Sequence, residues 1–184
     1  MARWAPPDIV SAALTGDEVA AEQLISAVWP GCFRLAATVI GDSSLAQDAD
    51  QEACVIVHRK IRSVRNAGAF DAWLYRIVMR ESARVRRRHD VAGQPMFERS
   101  SGSDGTIAMD VWRALATLSP ELRDVTVLFY FDDLKSEEIA AILGVAHPTV
   151  RTRLARARER LRGLLDDYRD DQAQPHLEVK QHVF

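Results

Sequence analysis

Apolar residues recur at helical spacing over residues 8–28, 30–40, 44–63 and 70–88, and each stretch predicts a helix that buries one face. The breaks between them fall at Trp29-Pro30, Gly41-Asp42 and Asn66-Ala67-Gly68, where proline, glycine and asparagine favour turns. From His89 to Gly105 the period stops, and the run Ser100-Ser101-Gly102-Ser103-Asp104-Gly105 has the composition of a flexible linker. Helical spacing resumes over residues 107–118, 120–131, 136–143 and 148–168. Strict apolar/polar alternation is nearly absent, so no sheet is predicted. The pattern therefore implies an all-α chain of two small helical domains, 1–88 and 107–169, joined by a flexible linker over 89–106. A polar tail from Asp170 to Phe184 is expected to be disordered or to act as a regulatory extension.

Composition narrows the class. Over 184 residues, 47% are hydrophobic and 27% charged, which is ordinary for a soluble globular chain. No apolar run stands out as a membrane span, and the start Met1-Ala2-Arg3-Trp4-Ala5-Pro6-Pro7 lacks a signal-peptide core, so a cytoplasmic protein without membrane insertion is expected. The two cysteines, Cys32 and Cys54, have no partners at metal-ligand spacing, which argues against a disulfide scaffold or a zinc ribbon. No glycine-rich phosphate loop or nucleophile-base pairing is visible. The chain is expected to be no enzyme, with no catalytic residues, no metal and no cofactor.

The net charge of −2 conceals an uneven distribution. Most basic residues are arginine, and they gather at Arg76, Arg80, Arg84, Arg86, Arg87 and Arg88, then at Arg151, Arg153, Arg156, Arg158, Arg160 and Arg162. Acid concentrates at Asp42, Asp48, Asp50 and Glu52, and again at Asp166, Asp167, Asp170 and Asp171. Two cationic surfaces beside acidic ones suggest an anionic polymer and a protein partner.

The sharpest local signal is a short helix over Ser136–Leu143, a turn at Gly144, and a longer helix opened by Pro148. This is the helix-turn-helix pattern. Ser136 is expected to cap the first helix. On the second, Val150, Leu154, Ala157, Leu161 and Leu164 form an apolar stripe, leaving Arg151, Thr152, Arg153, Ala155 and Arg156 near the outward N-terminal surface. That is where a recognition helix meets base edges, small Ala155 permitting close approach and the other arginines contacting phosphates. In the first half, Asp48, Gln51, Glu52 and Val55 share a polar face suited to a basic partner. Over 70–88, Phe70, Trp73, Leu74, Ile77 and Val78 turn inward ahead of the arginine run. Aromatics beside arginines suit unstacked single strands, although Trp73 and Tyr75 serve equally as core residues.

These residues resemble the extracytoplasmic-function (ECF) sigma factors of bacterial RNA polymerase. Ala46-Gln47-Asp48-Ala49-Asp50-Gln51-Glu52 is similar to the family's A-E-D-x-x-Q-E, and Ala72-Trp73-Leu74-Tyr75-Arg76-Ile77 to its W-L-Y-R-I core. Residues 114–123 resemble the opening of region 4, and Glu138-Ile139-Ala140 with residues 149–158 resembles E-I-A and T-V-[KR]-S-R-L-x-R-A-R. The likeness runs from about Leu24 to Leu165. It implies a sigma initiation factor that binds core RNA polymerase through the β′ clamp and β flap, directs it to promoter DNA and promotes opening. Asp48, Gln51 and Glu52 would dock on polymerase. Trp73, Arg76, Arg80, Arg84 and Arg87 would read and melt the −10 element, and Arg151, Thr152 and Arg156 would read the −35 element. An anti-sigma factor is the partner that the resemblance adds. The chain departs from the family pattern at Gln47, Asp50, Arg80, Arg84, Lys135 and Pro148. The other reading is a free-standing helix-turn-helix regulator that binds operator DNA as a dimer.

Overall fold

The computed structural model describes residues 4–91, 111 and 114–173, with side chains through His89 in the first half and Gly163 in the second. Among them there is no strand. The first half holds α1 (Pro7–Thr15), α2 (Glu18–Ile40), α3 (Ser43–Lys60) and α4 (Phe70–Val91), with short 3-10 turns at Ile61–Ser63 and Ala67–Ala69 before α4. The second holds α5 (Pro120–Tyr130), α6 (Ser136–Leu143) and α7 (His147–Ala173), preceded by a helical turn at 114–116.

The chain breaks where backbone chemistry favours it. Gly16 and Gly41 close α1 and α2 at φ of 98° and 84°, left-handed values that a side chain resists. Asp17 and Asp42 then cap the following helices, their carboxylates accepting from the N–H of Ala20 at 3.0 Å and of Leu45 at 2.9 Å. The break expected at Trp29-Pro30 does not occur: Pro30 lies inside α2. Its missing N–H costs one ladder bond, and the burial of Leu24, Val28, Cys32, Leu35 and Val39 along the same helix outweighs that loss. The resulting 23-residue helix is long and apolar enough to cross a membrane by length and composition, which the shorter predicted segments did not suggest.

In the first half α2, α3 and α4 pack on one another. Alanines at 46, 49 and 53 line the buried side of α3 and let it approach α2 closely, while Phe70, Leu74, Tyr75 and Val78 fill the space from α4. Trp4 closes one end, edge-on to Tyr75 with ring centroids 4.8 Å apart. Its ring lies so near Gly31 that an added Cβ would stand 2.6 Å away. In the second half Val125, Leu128, Leu134, Ile139, Ile142, Val150, Leu154 and Ala157 form the core, joined to the first by continuous buried contacts.

Three further boundaries differ from the sequence expectation. Helix α4 runs on to Val91, so His89–Val91 is helical, and α7 continues past Asp170 to Ala173. Most of the predicted linker and half of the helix over 107–118 lie outside the described residues, as does 174–184. The cap of α6 is Lys135, not Ser136: Glu138 reaches back to accept the Lys135 backbone N–H at 2.9 Å, so Ser136 is already helical.

Candidate functional site

Side chains from α3, α4 and α7 form three surfaces. On α3, Asp48, Gln51 and Glu52 are exposed on the side opposite the buried alanines, as the helical period requires. Together with Leu45, Val85, Arg88 and His89 they line a groove of about 370 Å³ between α3 and the end of α4. A carboxylate-rich rim over apolar Leu45 and Val85, next to exposed Val55, suits a partner helix that offers both cations and aliphatic side chains.

On α4 the structure separates the arginines. Arg76, Arg80, Arg84, Arg87 and Arg88 are exposed. Arg80 Nε and Arg84 Nη1 are held at 3.2 and 3.0 Å by the two oxygens of Glu81, whose side chain is buried. One buried carboxylate thus fixes two guanidinium groups and restricts their rotamers, which lowers the entropy lost on gripping a ligand. Arg86 does not belong to the cationic surface: it is 4% exposed and turned inward. Trp73 is half-buried and tilted against Phe70 at 6.0 Å, keeping part of its ring available, whereas Tyr75 is wholly a core residue, its hydroxyl pushed up by burial first and then by Asp132.

On α7 the buried stripe of Val150, Leu154 and Ala157 fixes the helix rotation, and Arg151, Thr152, Ala155 and Arg156 are exposed. Arg151, Thr152 and Ala155 line a groove of about 590 Å³ together with Ser136, Pro148 and Arg158. Arg158 stacks on Phe129 and Tyr130, 5.7 and 5.9 Å from the ring centroids, and its Nε donates to the Tyr130 hydroxyl at 2.7 Å. This arrangement holds a positive charge rigidly at the groove edge. Thr152 donates its hydroxyl to the Pro148 carbonyl at 3.0 Å, which leaves its methyl and oxygen lone pairs facing outward. Arg153 lies apart from these. It is half-buried and lines a different groove, of about 710 Å³, facing Trp73, Arg76 and Arg80 of α4.

Among the described residues no group of histidine, cysteine and carboxylate side chains could hold a metal. Two features escaped the sequence reading. Asp50 is fully buried beside Cys54, and Arg123 is buried on the inner side of α5. The period itself points to Asp50, which falls in the stripe of Ala46, Ala53 and Val57.

Residues 24–91 match the family model described as Sigma-70 region 2, and residues 108–161 match that of Sigma-70, region 4. The chain is 34% identical over 165 residues to the ECF RNA polymerase sigma factor SigM of Mycobacterium tuberculosis (strain ATCC 25618 / H37Rv), covering 86% of this chain and 83% of the relative. It is 31% identical over 176 residues to the ECF RNA polymerase sigma factor SigE of Mycolicibacterium smegmatis, covering 87% and 68%. Among solved structures it resembles the sigma factor RpoE in complex with the anti-sigma factor NepR from Bartonella quintana, with a TM-score of 0.64 and 27% identity over 79% of this chain and 96% of that one. The fold is shared with CnrH, solved with the cytosolic domain of CnrY, at a TM-score of 0.69 and 24% identity over 88% and 97%.

Proposed function

The chain belongs to the extracytoplasmic-function branch of the sigma-70 family, and from that premise we propose a division of labour among its three surfaces. The protein is a transcription initiation factor that works with core RNA polymerase on promoter DNA. Asp48, Gln51 and Glu52 dock on the β′ clamp. Trp73, Arg76, Arg80, Arg84 and Arg87 receive the −10 element as a melted strand, Trp73 offering a stacking face and the arginines following phosphates. Arg151, Thr152, Ala155 and Arg156 enter the major groove of the −35 element, with Arg158 on a neighbouring phosphate. The exposed apolar Tyr130 and Phe131 at the end of α5 suit the β flap. An anti-sigma factor is the regulatory partner, by analogy with the RpoE complex.

The observation that carries this reading is the pairing of two family halves in order on one chain, each with an exposed surface of the required charge. A free-standing dimeric regulator would leave the α3 carboxylates and the α4 arginines without a role. Because the apolar residues of α2 are core to the first half, we place the protein in the cytoplasm with the polymerase.

Run-off transcription with purified core polymerase and a promoter pool tests the function. Protein-dependent transcripts that share two upstream elements are expected; neither transcripts nor core binding would return the dimeric regulator to first place. Two substitutions test the surfaces. Reversing charge at Asp48→Lys and Glu52→Lys together should weaken core binding at least tenfold, about 1.4 kcal/mol; unchanged holoenzyme formation would remove the α3 face from docking. Arg151→Ala or Arg156→Ala should cost ~1–3 kcal/mol of duplex recognition and relax preference at single positions. A uniform loss across all sequences would instead make both residues phosphate contacts.

A further inference from the structure

Two of the exposed arginines of α4 are held differently from the rest. Glu81 lies between them with 3% of its surface exposed, a carboxylate taken out of water on an otherwise cationic stretch. Its Oε1 accepts from Arg80 Nε at 3.2 Å and its Oε2 from Arg84 Nη1 at 3.0 Å, while the two arginine side chains stay 63% and 44% exposed. Arg76, Arg87 and Arg88 are exposed on the same helix and have no carboxylate partner among the described side chains. Arg80 and Arg84 are also two of the positions at which the chain departs from the family pattern.

This arrangement weakens a surface meant only for phosphates. Burial strips the Glu81 carboxylate of hydration, and its charge cancels one of the two guanidinium charges that a DNA backbone would attract. What it adds is direction. Arg80 is gripped through Nε, which leaves both Nη groups as a pair of parallel donors. Phosphate oxygens accept from many angles and need no such alignment, whereas the O6 and N7 acceptors of guanine lie in one plane and do. Trp73 completes the site. It stands seven residues before Arg80, two turns along one face, and lines the same groove as Arg76 and Arg80. A base laid on the exposed part of the indole turns an edge along the helix, and helical side chains lean back toward the N-terminus, which brings Arg80 to that edge.

Taking α4 as the strand-binding face, as in the function above, we propose that Arg80 is a base reader and not a phosphate contact: its two Nη groups donate to O6 and N7 of an unstacked guanine in the −10 element. Glu81 is its positioning residue, and Arg84 occupies the second carboxylate oxygen so that the buried charge is paired at both ends.

One substitution gives opposite signs for the two kinds of contact. Glu81→Gln keeps the shape and removes a negative charge, so phosphate contacts would hold every sequence more tightly. A loosened reader instead discriminates less. Holoenzyme assembled from core polymerase and each variant is given a promoter pool randomised over both elements, and the DNA in heparin-resistant complexes is sequenced. Wild type should select guanine at one −10 position by about tenfold or more, Arg80→Ala should lose that preference alone, and Glu81→Gln should lower it to about threefold. On one selected promoter, 7-deazaguanine at that position lacks the N7 acceptor; it should weaken wild-type complexes about tenfold and leave Arg80→Ala complexes unchanged. Circular dichroism checks helicity, and the exposed Arg80→Ala carries the comparison if Glu81→Gln loses it. Tighter binding of all sequences by Glu81→Gln, or the absence of a guanine preference that Arg80→Ala abolishes, overturns the proposal. An unchanged preference in folded Glu81→Gln overturns the positioning role. Wild-type complexes that share −10 and −35 elements uphold the sigma assignment whichever base Arg80 meets, and complexes from no protein, wild type included, overturn that assignment and this reading with it.

Discussion

Asp50→Asn should stabilise the protein by about 1–3 kcal/mol at pH 7.5 and remove most of that gain at pH 4. Asp50 is 0% exposed on the core side of α3. The Cys54 thiol approaches its Oδ1 at 3.8 Å, and no hydrogen-bond partner reaches Oδ2. Burial raises its pKa from 3.8 to about 6, against a small opposing effect of the Cys54 hydrogen bond. The same surroundings push the Cys54 thiol up to about 12, first by burial and then by the Asp50 charge, so no counter-charge is available there. The sign follows from proton linkage. The folded state holds its proton more tightly than the unfolded chain, so the contribution of Asp50 is fully present below pH ~4 and is lost as pH rises through about 6. A shift of this size corresponds to roughly 3 kcal/mol at neutral pH. Asparagine never ionises, but its amide N–H₂ still needs partners in the same apolar site, which sets the lower end of the range. Urea unfolding at pH 4, 6 and 7.5 checks this. Parallel pH profiles for wild type and Asp50→Asn would show that Asp50 ionises without penalty.

What could be read from the sequence follows from which signals are local. The turn at Gly144, the stripe of Val150, Leu154 and Ala157, and the exposed positions Asp48, Gln51 and Glu52 all depend on helical period and on glycine's access to positive φ, so they were legible. Pro30 misled because the proline rule describes an isolated helix, and core burial along α2 overrode it. The break at Gly16 escaped because apolar spacing continues across it; only the left-handed turn and the Asp17 cap divide α1 from α2. The run Arg84–Arg88 shows the deeper limit. By composition Arg86 and Arg87 are equivalent, yet one is buried on Asp124 and the other exposed. Extending the inward stripe of Val78, Ser82 and Val85 by one residue singles out Arg86, but its acidic partner is 38 residues away in the other half. The first three arginines of α7 divide similarly. Arg151 and Arg156 face outward while Arg153 turns toward α4, a distinction that exists only once the halves are placed together.

Arg123→Ala should be the most damaging single substitution in the second half, costing ~3–5 kcal/mol. Arg123 is 4% exposed, and its planar guanidinium joins segments that share no secondary structure. Nε donates to the Leu115 carbonyl at 3.0 Å; Nη2 donates to Ala116 at 3.0 Å and Leu118 at 3.4 Å; Nη1 reaches Val39 and Ile40 on α2. Truncation strands buried carbonyls that water cannot easily reach, and each stranded group costs ~1–3 kcal/mol before relaxation. The segment at 114–118 would detach from α5, and α5 from the end of α2. Arg123→Lys should recover part of the loss, since an ammonium keeps the charge but cannot span the same fork of acceptors. Native-state hydrogen exchange gives the resolved readout. In Arg123→Ala, amides of α5 and α6 should lose protection by about two orders of magnitude or more, in step with ~3 kcal/mol. Amides in the middle of α3, which Arg123 does not touch, should keep theirs. Equal loss throughout both halves would mean that they unfold as one cooperative unit. Full protection in α5 would show that the carbonyls find other donors and that Arg123 is dispensable to the fold.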